Sequence, residues 1–289
     1  MRNSGAVVAV HKTSAVLELR DVSFTYGQGA LATPAVRGLQ LQVASGEIVS
    51  LVGPSGCGKT TILKLVAGLI RPDAGQVLID GSAGAGVHPD VGCIFQDPRL
   101  LPWRTVMDNV MLPLQVQRVS RPRARLTAER ALQVVGLHDT GQRYPAELSG
   151  GMRQRVAIAR ALTYDPAILL MDEPFASLDA ISREKLNMEM LGLRRATGKT
   201  MLFVTHSIPE AVLMADRVLV LSPRPATVLC EVPVDLGPDR TPRIQDSMEF
   251  TRLTGAVRAA LESYADGEYG GGRSETDGQP DAGRGSKAG

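Results

Sequence analysis

Residues Gly53-Pro54-Ser55-Gly56-Cys57-Gly58-Lys59-Thr60 fit the pattern G-x-x-x-x-G-K-[ST]. A strand-like run, Ile48–Val52, precedes the pattern, and a helical run, Lys59–Ala67, follows it. That context is what phosphate chemistry needs. Glycines let backbone N–H groups curl around phosphate oxygens without side-chain clash. The helix N-terminus adds a positive dipole end. Lys59 is then placed for the β- and γ-phosphates, the Thr60 hydroxyl for Mg²⁺, and Thr61 for the α-phosphate. Cys57, a lone thiol inside the loop, reads as a small filler rather than a nucleophile.

A second element carries acid. Ala167-Ile-Leu-Leu-Met-Asp172-Glu173-Pro174 sets two carboxylates at the end of a continuous apolar strand. In open α/β sheets, ligands sit beyond the carboxyl ends of the strands. Asp172 suits Mg²⁺, held through water. Glu173 suits the γ-phosphate and the attacking water, where a general base contributes about 10²–10⁴-fold in rate. Taken alone, the pair would read equally well as a solvated turn before Pro174. A third element is Leu148-Ser149-Gly150-Gly151-Met152-Arg153-Gln154-Arg155. Ser149 can cap a helix starting near Gly150, and Ser-Gly-Gly at a helix start forms an anion-binding nest.

A chain with two phosphate-gripping elements resembles the ATP-binding subunits of ATP-binding-cassette (ABC) transporters, for which Leu148–Arg155 is diagnostic. The resemblance covers about residues 15–235. It implies an α/β fold: a P-loop NTPase cassette with a RecA-like parallel sheet core, an N-terminal antiparallel β-subdomain and an α-helical subdomain at about 97–160. It implies ATP and Mg²⁺ as cofactors and ATP hydrolysis as the activity. Two cassettes, here a homodimer, pair head to tail, so that Ser149, Gly150 and Gly151 grip the γ-phosphate on the partner's loop. Gln96, in Ile94-Phe-Gln-Asp97, matches the glutamine that contacts Mg²⁺ and the attacking water. Asp179, in Ser177-Leu-Asp179, matches the loop that crosses the dimer interface. His206 matches the histidine that bonds the γ-phosphate, and Tyr26 the aromatic that stacks on adenine. The other reading of Tyr26 is a core aromatic. Ser207 stands where many members carry Asp, and Ser177 where many carry Ala or Gly.

Leu101-Pro102-Trp103, with Leu100 before it, resembles the nitrate/sulfonate/taurine import branch. That branch implies two integral-membrane permease subunits and an extracytoplasmic solute-binding protein as partners, with the cassette peripheral on the cytoplasmic face of the membrane. Leu100, Leu101 and Trp103 would meet a permease helix; the alternative is that Trp103 packs internally. A non-transport ABC ATPase of DNA repair or translation is the rival class. The 107 positions from Thr60 to Ala167 show no sustained heptads for a coiled-coil arm, and there is a single phosphate loop. A kinase or GTPase would leave Leu148–Arg155 and His206 without a use.

The elements that must position these residues alternate along the chain. Ala15–Val22 and Val36–Val43 alternate like half-buried strands, and Gly75–Asp80 and Val91–Phe95 read as further strands. Helical patterns occupy 105–118 and 127–135. Leu186, Met190 and Leu193 share a helical face, Met201–Thr205 and Val218–Leu221 are strand-like, and Phe250, Leu253, Val257 and Leu261 mark a last amphipathic helix. Residues 236–265 read as a helical extension. Residues 1–14, and the glycine-rich 266–289, are expected to be disordered.

Composition bounds the alternatives. Of 289 residues, 44% are hydrophobic and 21% charged, enough for a real core. A net charge of +2 carries no basic excess, which argues against a nucleic-acid partner. No apolar run approaches the ~18 residues of a membrane span. Three cysteines, Cys57, Cys93 and Cys230, fit neither a disulfide scaffold nor a metal motif.

Overall fold

The computed structural model describes residues 15–84, 86–237 and 239–270. Along the chain run β1 (Ala15–Tyr26), β2 (Thr33–Ala44), β3 (Ile48–Val52), α1 (Lys59–Val66), β4 (Ala74–Ile79), β5 (Ser82–Ala83), β6 (Val91–Ile94), α2 (Val106–Val116), α3 (Arg121–Val134), α4 (Gly150–Leu162), β7 (Ile168–Asp172), α5 (Ala180–Thr197), β8 (Thr200–Val204), α6 (Ile208–Met214), β9 (Arg217–Leu221), β10 (Val228–Pro233) and α7 (Met248–Gly270).

Two sheets form. The first has the order β2-β1-β4-β5 and is antiparallel. The second has the order β10-β9-β3-β8-β7-β6 and is parallel except for its β10–β9 edge. Period-2 alternation sorts each parallel strand between two cores. Ile48, Leu169, Met171, Met201, Phe203, Val218 and Val220 face a core shared with the later helices. Val49, Ile168, Leu170, Leu202, Val204, Leu219 and Leu221 face one closed by α1 and the antiparallel sheet. Both faces are therefore covered, which is why these strands are mostly apolar, with Ser50 fully buried in β3. Phe203 is fully buried, 5.9 Å from the Phe175 ring; its truncation to alanine would cost about 3–5 kcal/mol.

Helices α2, α3 and α4 pack on one another as an arm. Thr105 caps α2 by accepting from the Asp108 N–H. Pro113 interrupts its ladder one turn from the end. Ala124, Ala128, Ala131 and Leu132 are the buried stripe of α3.

Some boundaries differ from the sequence pattern, for identifiable reasons. β1 runs on to Tyr26 because bulges reset its register around Val22, with Asp21 at φ 48°. The alternation that marks the strand breaks there, although the strand does not. Helix α3 starts at Arg121, six residues before the apolar pattern, since its first turn is Arg- and Pro-rich. Helix α6 gives no amphipathic signal, because Glu210 to Met214 are all buried. α7 buries Phe250, Leu253 and Val257. Its helix continues to Gly270, so 266–270 are helical where disorder was expected. The expected disorder at 1–14 and 271–289 lies outside the described residues.

Candidate nucleotide site

Four neighbouring strands deliver the chemistry-bearing residues to one edge. In sheet order β3, β8, β7, β6, their carboxyl ends lead into the Gly53–Thr60 loop, His206, Asp172–Glu173 and Gln96. Residues far apart in sequence are thus adjacent because their strands pair in parallel.

The loop depends on glycine where it turns into α1. Gly58 has φ 126°, and a Cβ there would lie 2.5 Å from the Ala35 carbonyl oxygen. Pro54, Ser55 and Gly56 are exposed, while Cys57 is buried and fills the loop from behind. The first turn of α1 carries no side-chain cap and no acidic residue, so its N-terminal donors and dipole face the loop. Lys59 Nζ donates to the Gly53 and Pro54 carbonyls at 2.7 and 2.9 Å, which holds the ammonium against the loop.

Asp172 is buried at the end of β7. Burial pushes its carboxyl above the ordinary value, and a hydrogen bond with the Thr60 hydroxyl opposes that shift. Glu173 follows with φ 46°, a left-handed backbone that is rare and strained in a non-glycine residue. Its N–H donates to the Val204 carbonyl at 2.9 Å, which ties the turn to β8. The turn aims its carboxylate at two partners. Gln96 Nε2 donates to Glu173 Oε2 at 3.3 Å, and His206 Nδ1 stands 3.1 Å from the same oxygen. Glu173 keeps only 21% of its side chain exposed, whereas His206 keeps 64%. A half-buried carboxylate between an amide and an imidazole can orient and deprotonate a water.

Tyr26 is 38% exposed, so it is not a core aromatic. It packs edge-on against Phe24, and its hydroxyl lies 3.3 Å from Thr61 Oγ1 on α1. A partly open ring face beside the phosphate loop suits base stacking.

Ser149, Gly150, Gly151 and Asp179 form a separate group. Ser149 is exposed and caps α4, accepting from the Met152 N–H at 3.2 Å. Asp179 caps α5, and the Ser182 N–H that it accepts holds its carboxyl below the usual value. The two caps adjoin: a Cβ on Gly151 would sit 2.8 Å from Leu178 Cδ2. Among the described residues no hydrogen bond joins this group to the phosphate loop. In the arm, Trp103 is 72% exposed, so its packing is not internal, while Leu100 and Leu101 are half-buried.

Three supports have roles that no sequence motif reveals. Gln154 is buried on α4 and donates to the Phe95 carbonyl at 3.0 Å. Arg160, two turns on, donates to the Pro98 and Arg99 carbonyls at 2.7 and 3.0 Å. Glu210 is buried on α6 and accepts the Thr205 hydroxyl. The available signal was a polar residue at a position where its helix is otherwise apolar.

Comparison with known proteins gives the family and the fold. The model of the ABC transporter family matches residues 36–176. The taurine import ATP-binding protein TauB of Yersinia pestis bv. Antiqua (strain Antiqua) is 46% identical over 204 residues, 71% of this chain and 80% of that protein. This chain belongs to the ABC transporter family. TauB of Pseudomonas aeruginosa (strain UCBPP-PA14) is 38% identical over 258 residues, 88% of this chain and 98% of that protein. The dimeric structure of MJ0796, a bacterial ABC transporter cassette, superposes with a TM-score of 0.71 at 34% identity, over 76% of this chain and 99% of that one. A second structure of MJ0796, a dimer in a post-hydrolysis state bound to ADP and Pi, gives 0.70 at 33% identity, over the same shares. The cassette is thus the ATP-binding, ATP-hydrolysing subunit of an ABC importer, with a P-loop α/β fold. Among its described residues no helix is long and apolar enough to cross a membrane.

Proposed function

We propose that two copies of this cassette assemble head to tail and drive uptake of taurine or a similar small sulfonate through a separate permease. The observation that carries the reading is the meeting of Gln96 and His206 on one oxygen of Glu173, at the strand ends beside the phosphate loop. In this reading Tyr26 stacks on adenine, and the loop from Gly53 to Thr61 holds the phosphates, with Lys59 on the β- and γ-oxygens. Glu173 takes the proton of the attacking water, Gln96 orients that water, and His206 bonds the γ-phosphate. The group of Ser149, Gly150, Gly151 and Asp179 serves the nucleotide of the partner copy.

A divalent cation fits the donors present. The Asp172 carboxyl and the Thr60 hydroxyl stand together, Gln96 adds an amide oxygen, and the described residues hold no cluster of three or more His, Cys, Asp or Glu. Two or three hard oxygens beside phosphates suit Mg²⁺ better than a soft metal. Mg²⁺ held by Asp172, Thr60 and Gln96 would supply charge neutralisation on the phosphates.

ATP contacts both copies, so it favours the closed pair, and loss of the γ-phosphate contact with Ser149 and Gly151 loosens it. That differential contact shifts a two-state equilibrium. The arm, with Trp103 outward, passes the motion to two permease subunits. An extracytoplasmic binding protein delivers the solute, and the cassette sits on the cytoplasmic face of the membrane. The test is Glu173→Gln with ATP and Mg²⁺. We expect hydrolysis to stop and an ATP-bound dimer to appear on size exclusion. A variant that binds ATP, stays monomeric and turns over like the wild type refutes the reading. Uptake of labelled taurine by vesicles carrying the cognate permease and binding protein tests the substrate.

A further inference from the structure

Glu210 is a buried carboxyl that the hydrolytic roles above leave unused. It is 8% exposed, in the first turn of α6. One of its oxygens, Oε2, accepts the hydroxyl of Thr205, itself buried at the end of β8. The same hydroxyl accepts from the Ser207 N–H at 3.0 Å, and Ser207 Oγ accepts from the Glu210 N–H at 3.4 Å. These bonds close a ring around the backbone of His206. The Thr205 N–H adds a link to the Leu51 carbonyl in β3, at 3.4 Å. An exposed imidazole therefore stands on a backbone fixed in the core on both sides.

The other carboxyl oxygen, Oε1, is buried without a partner. It borders a cavity of about 240 Å³ lined also by Arg183, Asn187 and Gln245. Asn187 Oδ1 is likewise buried and unpartnered. Arg183 donates to the Phe175 and Leu178 carbonyls at 3.3 and 2.8 Å. Those carbonyls belong to the turn that leads from Glu173 to Asp179. Burial pushes the Glu210 carboxyl up, while its hydrogen bond from Thr205, the charges of Arg183 and His206 and the amide of Asn187 pull it down. A buried carboxyl is a cost in a helix whose neighbouring side chains are apolar and buried. Stability alone would favour leucine at this position.

We propose that Glu210 is a positioning residue: through the Thr205 hydroxyl it holds His206 against Glu173, and across the cavity it faces Arg183, so that the His206 turn and the Asp179 turn move together. The proposal rests on the reading of Glu173 and His206 as the hydrolytic pair. It differs from a packing role in predicting a loss of turnover without loss of fold.

The test is steady-state ATP hydrolysis by the full chain and by Glu210→Leu, Glu210→Gln and Thr205→Val, with thermal melts alongside. Glu210→Leu and Thr205→Val should lower kcat by about ten- to a hundredfold, since a misplaced group costs rate rather than binding. KM for ATP should stay within about twofold. Glu210→Gln keeps an acceptor for Thr205 and should stay within about threefold of wild type. In a His206→Ala background the same substitutions should add no further loss, because they act through that side chain. Thr205→Val, of similar volume, carries the test if Glu210→Leu does not fold. Unchanged kcat in Thr205→Val, or losses that multiply in the His206→Ala background, overturn the proposal while leaving the hydrolytic pair standing. A His206→Ala variant with wild-type turnover overturns the pair, and this proposal with it.

Discussion

Gln154 of α4 donates from Nε2 to the carbonyl oxygen of Phe95 at 3.0 Å, one residue before Gln96. The helix that Ser149 caps is therefore tied to the strand end that carries Gln96. Arg160 adds two bonds to the carbonyls of Pro98 and Arg99, so one helix grips three carbonyls of a five-residue stretch. A motion of the arm then carries Gln96 with it, since packed elements shift as units rather than deform continuously.

Gln154→Ala should loosen that link. It leaves the half-buried Phe95 carbonyl without this partner, which costs about 1 kcal/mol. We expect a lower melting temperature for the cassette alone. We also expect the permease-dependent stimulation of ATP hydrolysis to fall more than the basal rate. Equal loss in both would mean that Gln154 only supports the fold. Reconstituted complexes, assayed with and without loaded binding protein, separate the two.

Lys59→Ala should weaken nucleotide affinity rather than lower turnover alone. A charged hydrogen bond is worth about 1.5–3 kcal/mol, so Kd for ATP should rise about ten- to a hundredfold. Isothermal titration with ATP and Mg²⁺ measures it. Because Lys59 also donates to the Gly53 and Pro54 carbonyls, the variant should show a looser loop as well. Faster amide exchange at Ser55–Gly58 relative to β3 would report that.

The sequence made the hydrolytic edge legible because each motif ends a continuous apolar strand, and parallel pairing forces such ends together. Asp172 and Glu173 could be placed from Ala167–Met171 alone. The Ser149 group was legible as a helix cap, and the role proposed for it calls on a second chain. What escaped was structure without period. The bulges around Val22 hide the second half of β1, and the uniformly buried α6 carries neither a helical nor a strand pattern. Glu210 sits inside that silent stretch, and its partners Thr205 and Arg183 come from β8's end and α5.

Glu210 also predicts a pH dependence. Unfolded, its carboxyl titrates near the ordinary value of 4.5; folded, burial raises it. Between those two values the folded state binds more protons than the unfolded one. Stability contributed by this group therefore falls as pH rises through that window, and the cost is full above it. Glu210→Gln removes the ionisation. The melting temperature of the variant minus that of the wild type should increase as pH rises from about 4.5. Asp172 shifts in the same direction but is present in both proteins, so it cancels. Differential scanning calorimetry without nucleotide checks this, and a difference that shrinks with rising pH contradicts it.

Trp103 offers the converse case, a side chain whose removal should leave the cassette unharmed. It is 72% exposed, and exposed substitutions away from special features change stability by about 0.5 kcal/mol or less. Trp103→Ala should therefore keep its melting temperature and its basal ATP hydrolysis. At an interface, by contrast, a buried tryptophan anchor often costs more than about 2 kcal/mol when truncated. Co-purification with the membrane permease should then fall, and with it permease-dependent uptake. Unchanged assembly would place the permease contact elsewhere on the arm. Because the variant leaves Glu173, His206 and the phosphate loop untouched, a loss confined to the assembled complex would separate docking from catalysis.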